Sequence, residues 1–438
     1  MSKTVWRGVL VYLCTFGIAA FAAPPVSAQT YRGAIQGTVS DASGAVVQGA
    51  KVRVVNQATG LTRQTQTSED GSYSVPELPI GSYSVAVELA GFQTSVTTGV
   101  RVDVAVERRV DATLQAGDVT QRVEVSGDTL AQVETTSNVL GGAFTAQEIL
   151  DLPVNGRDYQ KLLFLTPGAA GDPSGGMDSP GSFGLVSVNG NRGRSNNYLL
   201  DGTDMNDGYR NLPAINQGGV FGTPGTVLPV ESIAEVRVLS NWEAEYGRNA
   251  GSVVNIVTKS GTNEFHGSVF EYFRNDSLNA RNYFNTEPNP KDDFSNHQFG
   301  VAVGGPFKRD TTFWYFTYEG QREELGVTSI NSVPTIADYQ AAVAALGGNA
   351  AACTGTPADC LNAQAPGVIN PVILNLYNLC ATDGGCSGDT DVWPADAVSS
   401  APASNDANSF IFKLDHNFRT NHTLSGRYFF GDSDQSFP

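Results

Sequence analysis

Histidine is scarce in this chain, with four residues in 438, and methionine is scarcer, with three. His266, His297, His416 and His422 lack ligand-pair spacing, and neither H-x-x-E nor H-E-x-x-H occurs. The helical zinc centres of hydrolases are therefore excluded. Nothing matches G-x-S-x-G or S-x-x-K, and no cysteine sits with a histidine in a nucleophilic arrangement. The sequence predicts no enzyme, no metal site and no cofactor. Beyond the N-terminus no apolar run is long enough for a helical membrane span. Basic residues are in the minority, 27 against 44 acidic ones, for a formal net charge of −17. That sign repels phosphate backbones, so the sequence predicts no nucleic-acid partner.

Cysteine is also sparse. Cys14 lies in the N-terminal apolar run, leaving Cys353, Cys360, Cys380 and Cys386 in one Gly, Ala and Asn-rich region. An even count in an exported chain suggests two local disulfides, Cys353 with Cys360 and Cys380 with Cys386. Zinc is the competing reading, but the spacings exceed those of structural sites and no histidine is near.

What is present in quantity points to strands. Hydrophobic residues make up 40% of the chain, charged residues 16%, and there are 48 glycines; with Thr, Val, Asn and Ser throughout, the chain reads as mainly β. Residues 1–28 form an export signal: Lys3 and Arg7, the run "GVLVYLCTFGIAAFAA", then "PPVSAQ" with cleavage after Ala28. A membrane-anchoring helix is the alternative, but the run is shorter than the roughly 20 residues a span needs and stops at Pro24-Pro25.

Residues 29–116 alternate short β-type runs with turn residues, the spacing of a small antiparallel sandwich. Val52, Val54 and Asn56 share one face of a strand, and Tyr83, Val85 and Val87 repeat the pattern. Residues 117–128 form a polar connector with one strand-like core, Arg122, Val123, Glu124, Val125 and Ser126. Such a strand can be captured by the sheet edge of another protein, or can be the last strand of the sandwich.

Residues 129–261 are mixed α/β. Thr145 and Glu148 stand at capping-box spacing, so a short helix starts there. A helical stretch carries Leu162, Leu163 and Leu165 and stops at Pro167-Gly168; Tyr198 to Leu200 form an apolar strand; "VESIAEVRVLSN" gives a brief helix and then a strand. The stretch "EAEYGRNAGSVVNIVTKSGTNEFHGS" contains two glycines four apart without a following Lys, and a strand rather than a helix comes next. It is not a phosphate loop. Asp201, Asp204 and Asp207 are three apart and miss the D-x-D-x-D-G calcium pattern, so the sequence predicts a solvated loop there.

From 262 to 438 the pattern is period-two alternation over about ten residues, as in transmembrane β-strands. Phe299, Val301 and Val303 oppose Gln298, Gly300 and Ala302; Trp314, Phe316 and Tyr318 oppose Thr317 and Glu319; Phe410, Phe412 and Leu414 oppose Lys413, Asp415 and Asn417; Leu424, Tyr428 and Phe430 oppose Ser425 and Arg427. Residues 325–405 read as a long extracellular loop.

Two resemblances sharpen this reading. "GTVSDASGAVVQGAKVRVVNQATG" with "TSEDGSYSVPELPIGSYSVAVELAGF" resembles the carboxypeptidase regulatory-like domain, which implies an Ig-like or carbohydrate-binding-like β-sandwich. "LPVNGRDY", "NNYLLDGTDMND", "AEYGRNAG", "VNIVTKSGTNEFHGS", "GVAVGGPF" and "YFTYEGQR" resemble the plug and first barrel strands of TonB-dependent outer-membrane receptors, Oar-like branch. The resemblance implies a plug domain over 129–261, the start of a transmembrane β-barrel over 262–438, and an outer-membrane location in lipid. It also implies a TonB-type energy-transducing partner that pulls on a TonB box, here Arg122 to Ser126, and an imported ligand such as an oligosaccharide or iron chelate, saccharides being slightly favoured by the sandwich. The family closes about 22 strands, whereas about five or six are legible here, so the sequence predicts the N-terminal portion of a longer protein. The alternative is a secreted carbohydrate-binding or adhesion β-protein.

Overall fold

A computed structural model describes residues 32–119, 122–126, 141–153, 157–171, 186–208, 211, 213–215, 228–242, 246–247, 250–281, 287, 291, 293–326, 329–332, 341, 344–345, 396–399, 402–418 and 422–436. The expected export signal and the four cysteines lie outside the described residues. The chain divides into two compact units, one comprising Met1–Val269, Val301–Tyr318 and Ser409–Gly431, the other Phe270–Gly300, Glu319–Asn408 and Asp432–Pro438.

The first unit begins with nine strands: β1 (Gly33–Asp41), β2 (Lys51–Asn56), β3 (Thr62–Gln66), β4 (Ser72–Leu78), β5 (Gly81–Glu88), β6 (Thr94–Val102), β7 (Glu107–Arg109), β8 (Ala112–Leu114) and β9 (Arg122–Ser126). They form two sheets, β4-β1-β7 with β8 also on β1, and β3-β2-β5-β6-β9. The inward residues of β2 are Val52, Val54 and Asn56, and those of β5 include Tyr83, Val85 and Val87, as the alternation predicts. These pack with Ile35, Val39, Tyr73 and Leu114 into one core between the sheets. The Asn56 carboxamide is tolerated there because its oxygen accepts from the Ala58 and Thr59 N–H groups. The sandwich is not purely antiparallel. β1 pairs parallel with β7 and β8, and β6 pairs parallel with β9, because the chain crosses to the other sheet after β6 and back again after β8.

The α/β part of the same unit contains β10 (Gly141–Thr145), helix α1 (Ala146–Asp151), β11 (Ala169–Ala170), β12 (Ser187–Val188), β13 (Asn197–Leu200), β14 (Thr203–Asp204), β15 (Ile233–Leu239) and β16 (Val253–Thr258). Helix α1 starts with a complete capping box: the Thr145 hydroxyl accepts from the Glu148 N–H while the Glu148 carboxylate accepts from the Thr145 N–H. The stretch Tyr159–Leu165 is a 3-10 helix, with Leu162 and Leu163 buried and Leu165 exposed. The sheet order is β10-β15-β16-β13-β14. Every residue of β16 is buried, the signature of a strand covered on both faces. Val254 and Ile256 join the core with Tyr198, Leu200, Val236 and Val238, while Val253 packs on the other face with Leu199, Leu239 and Tyr246.

After β16 come long strands: β17 (His266–Asn275), β18 (Phe294–Lys308), β19 (Thr312–Gly326), a ribbon of β20 (Ser329–Ser332) with β21 (Asp396–Ser399), then β22 (Pro402–Phe418) and β23 (His422–Ser436). They order as β17-β18-β19-β22-β23. Their faces divide as the alternation predicts: Gln298, Gly300, Ala302, Thr317, Glu319 and Lys413 are buried, whereas Leu424, Tyr428 and Phe430 are exposed. The inner face carries most of the polar side chains, with Phe313, Tyr315 and Ile411 also buried on it, and the outer face is rich in aromatics, the alternation of a strand wall between water and lipid. In the second unit Arg274 lies over the Phe294 ring at 4.8 Å and the Arg322 guanidinium donates to the Ala407 carbonyl at 3.0 Å.

The turn between β16 and β17 allows no side chain at Gly261. A Cβ there would lie 2.3 Å from the Trp314 carbonyl oxygen and 2.6 Å from that of Gly305, so glycine lets the chain pass against the backbones of β18 and β19.

The sandwich core yields a direct test. Val54→Ala, at 0% exposure, is expected to cost about 1–3 kcal/mol, and Arg53→Ala on the outer face less than about 0.5 kcal/mol. Urea unfolding followed by near-UV circular dichroism compares them; equal shifts would contradict the facing.

Candidate functional site

The Asp201-Gly202 pair of "NNYLLDGTDMND" is the two-residue loop of the β13–β14 hairpin, with Leu200 opposite Thr203. Both residues have positive φ, 48° and 73°, the type I′ geometry for which Asp-Gly is favoured. The turn holds the Asp201 carboxylate against the end of β16. One oxygen accepts from the Thr258 N–H at 2.8 Å and the other from the Thr258 hydroxyl at 2.7 Å.

Two cations on the inner face of the long-strand sheet complete the cluster. Lys413 of β22 places Nζ 3.7 Å from the carboxylate and donates to the Thr258 carbonyl at 3.0 Å. Arg427 of β23 donates to the carboxylate and, at 3.0 Å, to the Leu200 carbonyl. The Asp201 and Lys413 side chains are 11% and 5% exposed. The expectation of a solvated loop fails at Asp201. Burial pushes its carboxyl up, but Lys413, Arg427 and the Thr258 bonds together outweigh it and hold the group below its ordinary value of 3.8. The neighbouring Asp204 behaves as expected of a loop residue, accepting from the Asn206 N–H at 2.8 Å. A second tie runs from the Tyr315 hydroxyl of β19 to the Glu231 carbonyl at 2.9 Å.

On the opposite face of the α/β sheet the sandwich is in contact. Glu235 of β15 is 3% exposed, and its carboxylate oxygens lie 3.2 and 3.3 Å from the Val104 N–H in the loop between β6 and β7. Ala105 packs beside Leu199, Leu239, Tyr246 and Val253. Asn263, just after the glycine turn, donates its N–H to the Ala58 carbonyl of the sandwich at 3.0 Å and exchanges two bonds with Asp310 in the β18–β19 turn. A cavity of about 1000 Å³ opens among these segments, lined by Arg101, Asp103, Glu235, Lys259, Lys413 and Asp415 among others. Its mixed charge selects no one ligand.

Arg122 to Ser126, the strand that the sequence offers for partner capture, forms β9, the outermost strand of the β3-β2-β5-β6-β9 sheet, in parallel register with Thr94 to Thr98. Glu124, Val125 and Ser126 are exposed. Sequence reasoning misses Asp201 as an anchor and Glu235 altogether. The Asp-Gly hairpin signal is available for the first; nothing in the alternation of "IAEVRV" marks the second.

Comparison with known proteins adds two family matches, an outer membrane beta barrel domain over residues 257–438 and a carboxypeptidase regulatory-like domain over residues 34–115. The chain is similar to the TonB-dependent transporter Oar of Myxococcus xanthus, 29% identical over 263 residues, covering 57% of this chain and 23% of that protein. It is 28% identical over 191 residues to a probable TonB-dependent siderophore receptor, PirA, of Acinetobacter baumannii, covering 43% of this chain and 23% of the relative. To the ferrienterobactin receptor of Escherichia coli it is 31% identical over 168 residues, 36% of this chain and 22% of the relative. The chain thus spans under a quarter of the length of these relatives.

Removing the anchor carboxylate should expose its importance. Asp201→Ala is expected to destabilise the docking of the α/β part by about 3–5 kcal/mol, because two cations are left without their partner. Hydrogen exchange at the Thr258 amide measures it, with unchanged protection as the contrary result. A depressed carboxyl contributes stability above its ordinary value and loses it as pH falls through the lowered one, so the protection is expected to survive at pH 4.5 and fail only in stronger acid.

Proposed function

We propose that this chain, a relative of the TonB-dependent outer-membrane receptors with an Oar-type N-terminal sandwich, serves in energy-coupled import of a ligand across the outer membrane. In this reading 29–116 is the regulatory-like sandwich, 117–128 the connector, 129–261 a plug, and 262–438 barrel wall with its long loop at 325–405. The protein is a transporter rather than an enzyme, and it reaches the outer membrane through the export signal at 1–28.

The observation that carries the reading is the Asp201 cluster. A compact α/β part is joined to wall strands through a glycine turn and meets their inner face through a small set of polar contacts beside one apolar contact, where Ile411 and Phe429 pack on the α/β core. A gate needs such an attachment, because a few charged contacts break together under load while a continuous apolar interface does not. Mechanical input enters at Arg122 to Ser126 as the TonB box. Among the described residues β9 has a neighbouring strand on one side only, β6, so its other edge can accept a strand from the energy-transducing partner through backbone hydrogen bonds. The names of the relatives, a siderophore receptor and a ferrienterobactin receptor, favour an iron chelate over an oligosaccharide as the ligand.

In the receptor that carries these residues, deletion of 122–126 is expected to abolish uptake of radiolabelled ferric siderophore while surface binding stays intact. Uptake at the wild-type rate would refute the assignment of the box, and saccharide uptake without siderophore uptake would refute the ligand class.

A further inference from the structure

We propose that the sandwich loop 103–106 is a releasable clasp on the α/β sheet, closed while Glu235 carries its proton and freed when that carboxyl ionises. The proposal extends beyond transport itself, and its test requires no transport.

Three features set this contact apart from ordinary packing. Glu235 is buried opposite Thr145 on β10 and Val257 on β16, and its described hydrogen-bond donor is the Val104 N–H. Ala105 sits at φ 53°, in the left-handed region that a residue with a Cβ avoids. Asn255, fully buried on the same face and opposite Arg237, has neither its amide nitrogen nor its oxygen paired. A buried carboxyl, a strained backbone and an unpaired amide each work against the closed state. Their concentration at one contact marks an interface poised near the balance between closed and open.

The charges around Glu235 decide how protons tip that balance. Asp103 and Arg101 face it from the sandwich and Arg237 from its own strand, while its strand neighbours Thr145 and Val257 do not titrate. Asp103 is itself engaged by Arg101 at 2.6 Å and Arg108 at 3.0 Å. Burial, followed by the Asp103 charge, pushes the Glu235 carboxyl up from 4.5 to about 7, with the Val104 N–H, Arg237 and Arg101 acting the other way. A raised carboxyl means that the closed state binds more protons than the open one. The contribution to closure is complete below the ordinary value and is lost as pH rises through about 7. Because β6 runs directly into the clasp and also carries β9, the clasp determines whether force applied at β9 passes through β6 to the α/β sheet.

Hydrogen exchange by mass spectrometry on the full chain in detergent micelles tests this, reading a peptide over 103–107 against one in β5 and correcting for intrinsic rates. Protection of the clasp peptide is expected to fall about 50-fold from pH 5 to pH 8 while β5 stays protected. Glu235→Gln should keep its protection at pH 8, and Ala105→Gly should raise protection at both pH values without removing the pH dependence. A flat wild-type profile, an unchanged profile in Glu235→Gln, or loss of protection in β5 together with the clasp would overturn the proposal.

Discussion

The carboxylate of Asp201 is where segments remote in sequence converge: a hairpin turn, the end of the central strand β16, and two long strands whose cations lie beyond residue 400. A buried cluster of this kind is a poor source of net stability, because desolvation offsets most of the attraction. Its value is discrimination. A misplaced turn leaves Lys413 and Arg427 without their counter-charge, so the cluster rewards one seating of the α/β part against the wall strands and penalises others. Gly261 imposes the same seating covalently, since the chain leaves β16 pressed against the backbones of β18 and β19.

Against this anchor the sandwich contact is of a different quality. Glu235, Ala105 and Asn255 all carry unfavourable terms in the closed arrangement, whereas Asp201 has every oxygen engaged. One face of the β10-β15-β16-β13-β14 sheet therefore meets a contact that is specific and satisfied, and the other a contact with built-in penalties. The weaker joint is the one nearest β9, the strand proposed above to take up a partner.

Local features of this architecture are legible in the amino-acid sequence. The alternation that places Val52, Val54 and Asn56 inward is local, as is the capping box at Thr145 and Glu148, and the fold contains both. The facing of Gln298 and Ala302 against Phe299 and Val301 follows from the two-residue period alone. Long-range pairing is not legible. Nothing near Asp201 announces that its partners are Lys413 and Arg427, 226 residues away in the second case, so an acidic, asparagine-rich turn reads as solvent. β9 is readable as a strand, but its parallel seat on β6 is a choice between edges that short-range pattern does not encode. The family resemblance supplies what periodicity lacks, namely that a β-sandwich, an α/β part and a strand wall occur in this order.

The account stands on the claim that coupled charges, and not the packing of Ile411 and Phe429 alone, hold the α/β part to the wall. A double-mutant cycle on Asp201→Asn and Arg427→Gln tests it directly, with stability read from the fluorescence of Trp242, whose indole N–H donates to the Gly251 carbonyl at 2.6 Å. Coupled charges predict an interaction energy of about 2 kcal/mol or more, the double variant losing far less than the two single losses combined. Losses that add to within about 0.5 kcal/mol would contradict the claim.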